Sequence, residues 1–410
     1  MPLIRPASGA QRVYVASAAA FVLVAPFPSS AGWRVFFLVS ALGALAWQAW
    51  RGAQPLDLAR LPRFFAIAAC AWIALSIASL AWSVDAGYTL AELRREILYG
   101  ALAFLVFFIG TRGPSHLHLW ITILFGGAFL LGIGEWLRFL LPGVKWARDV
   151  SMGPGPFSTH VLLLAPLLVL IVARPPVGLN RSVAFTLALG AGLIVAGIAG
   201  DSRILWVALL VSAVTAFATF WMQAPPRHPG RVAARRTLLI ALAVLPLLMV
   251  AATEYKLRYY PRAASTVESF SLDERPLIWK VAAGFAQRRP WLGYGYGREI
   301  IGAQMREELT KAGQPKPYNH AHNVFLDAAL QMGALGFAAF TLLLAGLVAA
   351  FLSARQREEG VPVAIVGLAM LAGYLTKDLT DDFFFRPNSL VFWAIGGMLL
   401  GLAARLPRER

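Results

Sequence analysis

The sequence predicts an all-α integral membrane protein of about twelve transmembrane helices, with one large loop on the outer side. Three observations carry that expectation. Hydrophobic residues make up 58% of the 410-residue chain and charged residues only 14%, where a soluble domain carries about 25% charge. Mean hydropathy is +0.64. The apolar residues gather in runs near the ~20 residues a bilayer-spanning helix requires, since lipid satisfies no free backbone group.

The runs fall at 13–29, 33–50, 64–83, 96–111, 117–137, 156–173, 182–200, 204–222, 237–253, 333–353, 361–376 and 389–404. The first reads as a span rather than a cleavable leader, because it lacks a small-residue cleavage pattern. Cys70, the single cysteine, lies inside a run, so disulfides have no part in the fold. With the N-terminus inside and the spans alternating, the inner segments hold 17 basic residues against four acids. The remainder hold 20 against 17. The positive-inside rule therefore places both termini in the cytoplasm. The net charge of +16 resides in short loops rather than on one face, which argues against nucleic acid and for topology determinants.

Residues 1–410 read as a single membrane domain. The long stretch, 254–321, lies between the ninth and tenth spans and faces outward. Leu277, Ile278, Val281 and Phe285 recur at helical spacing over 275–288, and Ile301, Met305 and Leu309 over 298–311, predicting two amphipathic helices. Between them Pro290-Trp291-Leu292-Gly293-Tyr294-Gly295-Tyr296-Gly297 forms a turn-rich, aromatic segment expected at the membrane interface.

Ionisable groups near the outer ends of spans require an explanation. Arg203 follows Gly200-Asp201-Ser202, Arg275 opens the first amphipathic helix, and His322 ends the long loop. Lys377 and Arg386 flank a loop holding Asp378, Asp381 and Asp382. Each has a bland alternative: a snorkelling arginine, a solvated ion pair, or ordinary loop solvation. Soluble-enzyme signatures such as a Walker loop, a GxSxG elbow or HExxH are absent. His320, His322 and Asp327 suggest a metal site by composition. Two histidines two apart would lie on different faces of a helix, so no metal is expected.

His322-Asn323, nine residues, Gly333, two residues and Gly336 form a string that resembles the signature of the bacterial lipopolysaccharide O-antigen ligase family. That superfamily also holds O-antigen polymerases and protein O-oligosaccharyltransferases. Arg203 in its outward turn looks like the family's first essential arginine. Arg275, before Trp279 and Pro290-x-x-Gly293-x-Gly295, looks like the second. The motifs cover roughly residues 190–400.

The resemblance implies a glycosyltransferase of the bacterial inner membrane with a periplasmic active site. Its partners would be an undecaprenyl-diphosphate-linked glycan as donor, lipid A–core oligosaccharide as acceptor, and membrane lipids. It further implies that His322 is the general base and that Arg203 and Arg275 hold the diphosphate bidentately. No cofactor or metal is expected. Asn323, Lys377, Arg386 and Tyr294 are the expected substrate contacts, and Gly333 and Gly336 are expected to let a neighbouring helix or lipid approach. A polymerase remains the near alternative. A secondary transporter would need internal repeats and ionisable groups at the midplane; here they cluster at the outer ends.

Overall fold

The computed structural model describes residues 9–407 apart from 28, 54, 142, 150, 174–182, 200–201, 223–228, 260–273 and 315. Gly200, Asp201 and the start of the long outer loop thus lie outside the described residues. Among those described, every regular element is helical. The helices are α1 (Gly9–Val24), α2 (Ala31–Trp50), α3 (Arg63–Ala78), α4 (Ala86–Glu92), α5 (Tyr99–Gly110), α6 (Pro114–Leu140), α7 (Lys145–Asp149), α8 (Pro154–Leu164) and α9 (Leu167–Ala173). There follow α10 (Val183–Ala199), α11 (Arg203–Trp221), α12 (Pro229–Tyr259), α13 (Arg275–Arg288), α14 (Gly302–Lys311), α15 (Val324–Ala354), α16 (Val361–Asp378) and α17 (Arg386–Ala403).

Over the described residues, each predicted apolar run overlaps a helix, with 13–29 running past the end of α1 and 156–173 divided between α8 and α9. Among the described residues, six helical segments are long and apolar enough to cross a membrane: Arg63–Ala81, Pro114–Leu140, Gly155–Val172, Arg203–Trp221, Val324–Ala354 and Glu358–Asp378. Small residues bring the helices together. A Cβ on Gly397 would lie 2.3 Å from the Phe104 carbonyl oxygen, and one on Gly401 2.6 Å from that of Phe108. This Gly-x-x-x-Gly stripe therefore seats α17 directly on the α5 backbone, with the two helices running parallel. Gly346 does the same for α15 against Phe65 of α3, and the Trp72–Phe340 ring pair, 5.3 Å apart, shows that these two run antiparallel.

The predicted amphipathic helices form, the first over the expected residues. The second begins four residues late, at Gly302, because a turn occupies Gly297–Ile301. Their apolar faces do not lie on a lipid surface. Ile278, Ala282 and Phe285 of α13 pack onto Ile301, Met305 and Leu309 beside Ala321 and Leu330, forming a small second core above the main one. Asn323 fixes the start of α15, accepting from the backbone N–H of Phe325 (3.0 Å) and Leu326 (3.1 Å). Asn323→Ala is expected to cost about 1 kcal/mol of stability as a lost cap, read as a lowered unfolding midpoint of the purified protein.

Candidate active site

The site rests on a broken helix. Met332 (φ −134°) and Gly333 (φ +64°) interrupt α15, so the Leu330 and Gln331 carbonyls lose their helical donors. The glycine- and aromatic-rich turn replaces them. Tyr294 N–H donates to Leu330 O (3.0 Å) and Gly295 N–H to Gln331 O (2.8 Å), while Ala334 N–H donates to Pro290 O (2.7 Å). A Cβ on Gly333 would stand 2.2 Å from the Trp291 carbonyl carbon. Gly333 therefore admits the backbone of this turn, not a neighbouring helix or lipid as the sequence suggested. Gly293, Gly295 and Gly297 all have positive φ and face Leu330, Ser83 and Tyr88 at contact distances closed to any side chain.

His322 precedes α15 in the left-handed region, φ +51°, a conformation that costs a non-glycine residue about 1–3 kcal/mol unless its surroundings impose it. The turn sets the His320 and His322 rings side by side, centroids 3.9 Å apart. The different-faces argument therefore fails, because neither histidine is on a helix. The backbone N–H of His322 donates to His320 Nδ1 (3.1 Å), which assigns the His320 proton to Nε2. Burial and the nearby Arg298 cation pull His320 down to about 3, so it is neutral.

His322 Nδ1 lies 3.0 Å from Asp381 Oδ1. Burial alone would raise the Asp381 carboxyl, but the bond to His322 and the backbone N–H of Asp382 hold it below the usual carboxylate range. An ionised Asp381 accepts a hydrogen bond from the Nδ1–H and leaves Nε2 of His322 as the basic nitrogen. The loop that carries Asp381 has irregular backbone, and its carbonyls must find donors. Asn323 Nδ2 donates to Leu379 O (3.0 Å), Arg275 Nε to Thr380 O (2.8 Å), Arg298 Nη1 to Asp382 O (2.7 Å) and the Tyr374 hydroxyl to Phe383 O. Arg298 also lies 3.7 Å over the Phe385 ring. Three distant side chains, with Tyr374 from the adjoining α16, thus fix one loop and with it the base's partner.

The other expected residues are distributed around this point. Arg203 opens α11. Gly373 of α16 abuts Ala208 of α11, and Arg203 lies five residues, about 7.5 Å at 1.5 Å per residue, along α11 from that contact. Arg386, φ +53°, presents its backbone N–H to Glu96 (3.1 Å) and Nη2 to Glu92 (3.0 Å). Of these buried acids, Glu92 ends α4 and Glu96 lies on the π-helical turn Leu93–Leu98 that joins it to α5. Lys377 does not reach the open face. It is fully buried and donates to Gly155 O, Ser158 Oγ and Thr159 Oγ1 at 2.6–2.7 Å, tying α16 to α8. Tyr294 is also buried, its hydroxyl donating to Phe285 O (3.0 Å).

Residues 187–341, less than half of the chain, match the protein family described as O-antigen ligase. This segment belongs to the O-antigen ligase family. No curated protein matches the chain. The match supports, over this segment, an enzyme of the O-antigen ligase and polymerase superfamily, a family that implies lipid-linked glycan substrates. The O-antigen ligase segment contains Arg203, Arg275, Arg298 and His322, whereas Asp381 lies beyond it. Sequence reasoning passed over Asp381 as loop solvation and did not consider Arg298, Glu92 or Glu96. One signal was available: three acids within five positions, 378–382, in a chain with only 21 acids.

Proposed function

We propose that the protein is an O-antigen ligase. It transfers a glycan from undecaprenyl diphosphate to a sugar hydroxyl of lipid A–core oligosaccharide at the periplasmic face of the bacterial inner membrane. The pairing of His322 with Asp381, inside and beside the family segment, carries this reading. His322 Nε2 removes the acceptor's hydroxyl proton as that oxygen attacks the anomeric carbon. The bond from that carbon to the diphosphate oxygen breaks, inverting the centre, and undecaprenyl diphosphate departs. Arg203 and Arg275 stabilise the charge that develops on it. The chemistry needs no metal ion.

Twelve alternating spans with both termini cytoplasmic, in a single domain with 254–321 as its periplasmic loop, accommodate this reaction. Alternation requires α5 and α17, the fourth and twelfth spans, to run parallel and α3 and α15 antiparallel, as they do.

The test is transfer by purified protein supplied with lipid-linked glycan and lipid A–core, in the presence of EDTA. Modification of the core at an undiminished rate is the expected result. Joining of glycan to a second lipid-linked glycan would make the protein a polymerase, and no transfer to either acceptor would sink the reading.

A further inference from the structure

We propose that His320, His322 and Asp381 form a zinc site whose occupation switches the base off. Zinc is not needed for the reaction; the inhibitory consequence, though not the binding, rests on the ligase reading above. Ligand atoms of these three residues lie within 4.8 Å of one another. Asp381 Oδ1 is 3.0 Å from His322 Nδ1 and 3.8 Å from His320 Nε2. Those separations bracket the about 3.3 Å between neighbouring ligands of a tetrahedral ion with bonds near 2.0–2.1 Å. Two imidazoles and one carboxylate select zinc and similar borderline ions over magnesium or calcium, and leave a fourth position for water.

The surroundings are those a metal-binding histidine uses. The second nitrogen of His320, Nδ1, is 3.3 Å from Asp327 Oδ2, a buried carboxylate that also accepts from the Ala321 N–H (2.8 Å). Such a carboxylate fixes the ring and raises its basicity toward the ion. The Asp382 N–H likewise steadies Asp381 Oδ1 at 2.8 Å. Asp381 is the ionised ligand, held below the usual carboxylate range, while burial and the neighbouring Asp327 raise Asp382 to about 7.

The proton balance closes without gain or loss. In the free protein His322 carries its proton on Nδ1 and His320 on Nε2. Coordination through those two atoms moves the His322 proton to Nε2 and the His320 proton to Nδ1, where it turns to Asp327 and the bond from the His322 backbone N–H to that nitrogen is given up. Both rings stay neutral. A His322 protonated at Nε2 has no lone pair there to accept a hydroxyl proton, so the same ion that orders the site stops the transfer.

The experiment titrates Co2+ alone into purified full-length protein in detergent, following the visible absorption of the bound ion, and then displaces it with Zn2+. Wild type is expected to show the bands. His320→Gln and Asp381→Asn are expected to weaken binding by at least about 10–100-fold. Absence of the bands in wild type, or unchanged affinity in His320→Gln, overturns the site. Should the variants misfold, Zn2+ protection of His320 and His322 from diethyl pyrocarbonate in wild type replaces them, and lack of protection is equally fatal. In the transfer assay Zn2+ should inhibit and EDTA restore the rate. Transfer untouched by Zn2+ while Co2+ binds overturns the switch. Protein that binds Co2+ but transfers nothing even with EDTA defeats the ligase reading and leaves the metal site standing.

Discussion

His322→Ala is expected to slow glycan transfer by roughly 10²–10⁴-fold, the range over which a positioned general base contributes. The donor should still bind, because this residue acts on the acceptor. Asp381→Asn separates chemistry from scaffolding. An amide in place of the carboxylate keeps the shape of the loop, but its NH2 donates to His322 Nδ1 where the carboxylate accepted. The histidine proton then moves to Nε2, and the base is lost through the wrong tautomer. Transfer should therefore fall nearly as far as in His322→Ala, with little change in the unfolding midpoint, and Asp381→Glu should recover part of the rate. Asparagine and glutamate variants with equal, wild-type rates would show that the 3.0 Å contact of His322 with Asp381 does not serve the reaction.

The unequal legibility of this site in the sequence has physical causes. The helices were readable because lipid imposes a length and a polarity on each, so each run from 13–29 to 389–404 overlaps a helix over its described residues. His322 and Arg275 were readable because they sit in local strings with fixed spacing. Asp381 was not, because it meets His322 across 59 residues of chain, and only the packing of α15 against α16 closes that distance. Lys377 and Arg386 looked like free cations at the end of a span. Sequence cannot show that one is sealed against the first turns of α8 and the other paired with Glu92 at the end of α4 and Glu96 on the π-helical turn that follows. The relation of His320 to His322 was misread by assuming a helix where Asn323 caps one. A residue before the cap is released from helical spacing, so rings two apart can stack.

Gly333→Ala is expected to be the most destabilising small change in the outer half of the molecule. The backbone there has φ +64°, and the added Cβ would meet the carbonyl carbon of Trp291 at 2.2 Å, its oxygen at 2.4 Å and the Leu292 nitrogen at 2.5 Å. None of these is the yielding end of a side chain, so the Pro290–Gly297 turn must leave. With it go the Tyr294, Gly295 and Ala334 backbone bonds, exposing buried carbonyls of α15. Strain of about 1–3 kcal/mol and several backbone bonds at about 0.5–1.5 kcal/mol each together predict a loss of roughly 3–5 kcal/mol. A lowered unfolding midpoint and new protease cleavage near Trp291 would register it. Gly284→Ala is the matched control. That glycine sits inside α13 with nothing within 4 Å of a Cβ, so alanine there should stabilise by about 0.5–1 kcal/mol. Equal midpoints for the two variants would mean that the break in α15 is not held by this turn. A lowered midpoint in the Gly333 variant alone would show that the outer core and the helix that follows His322 are held in place by one close backbone contact.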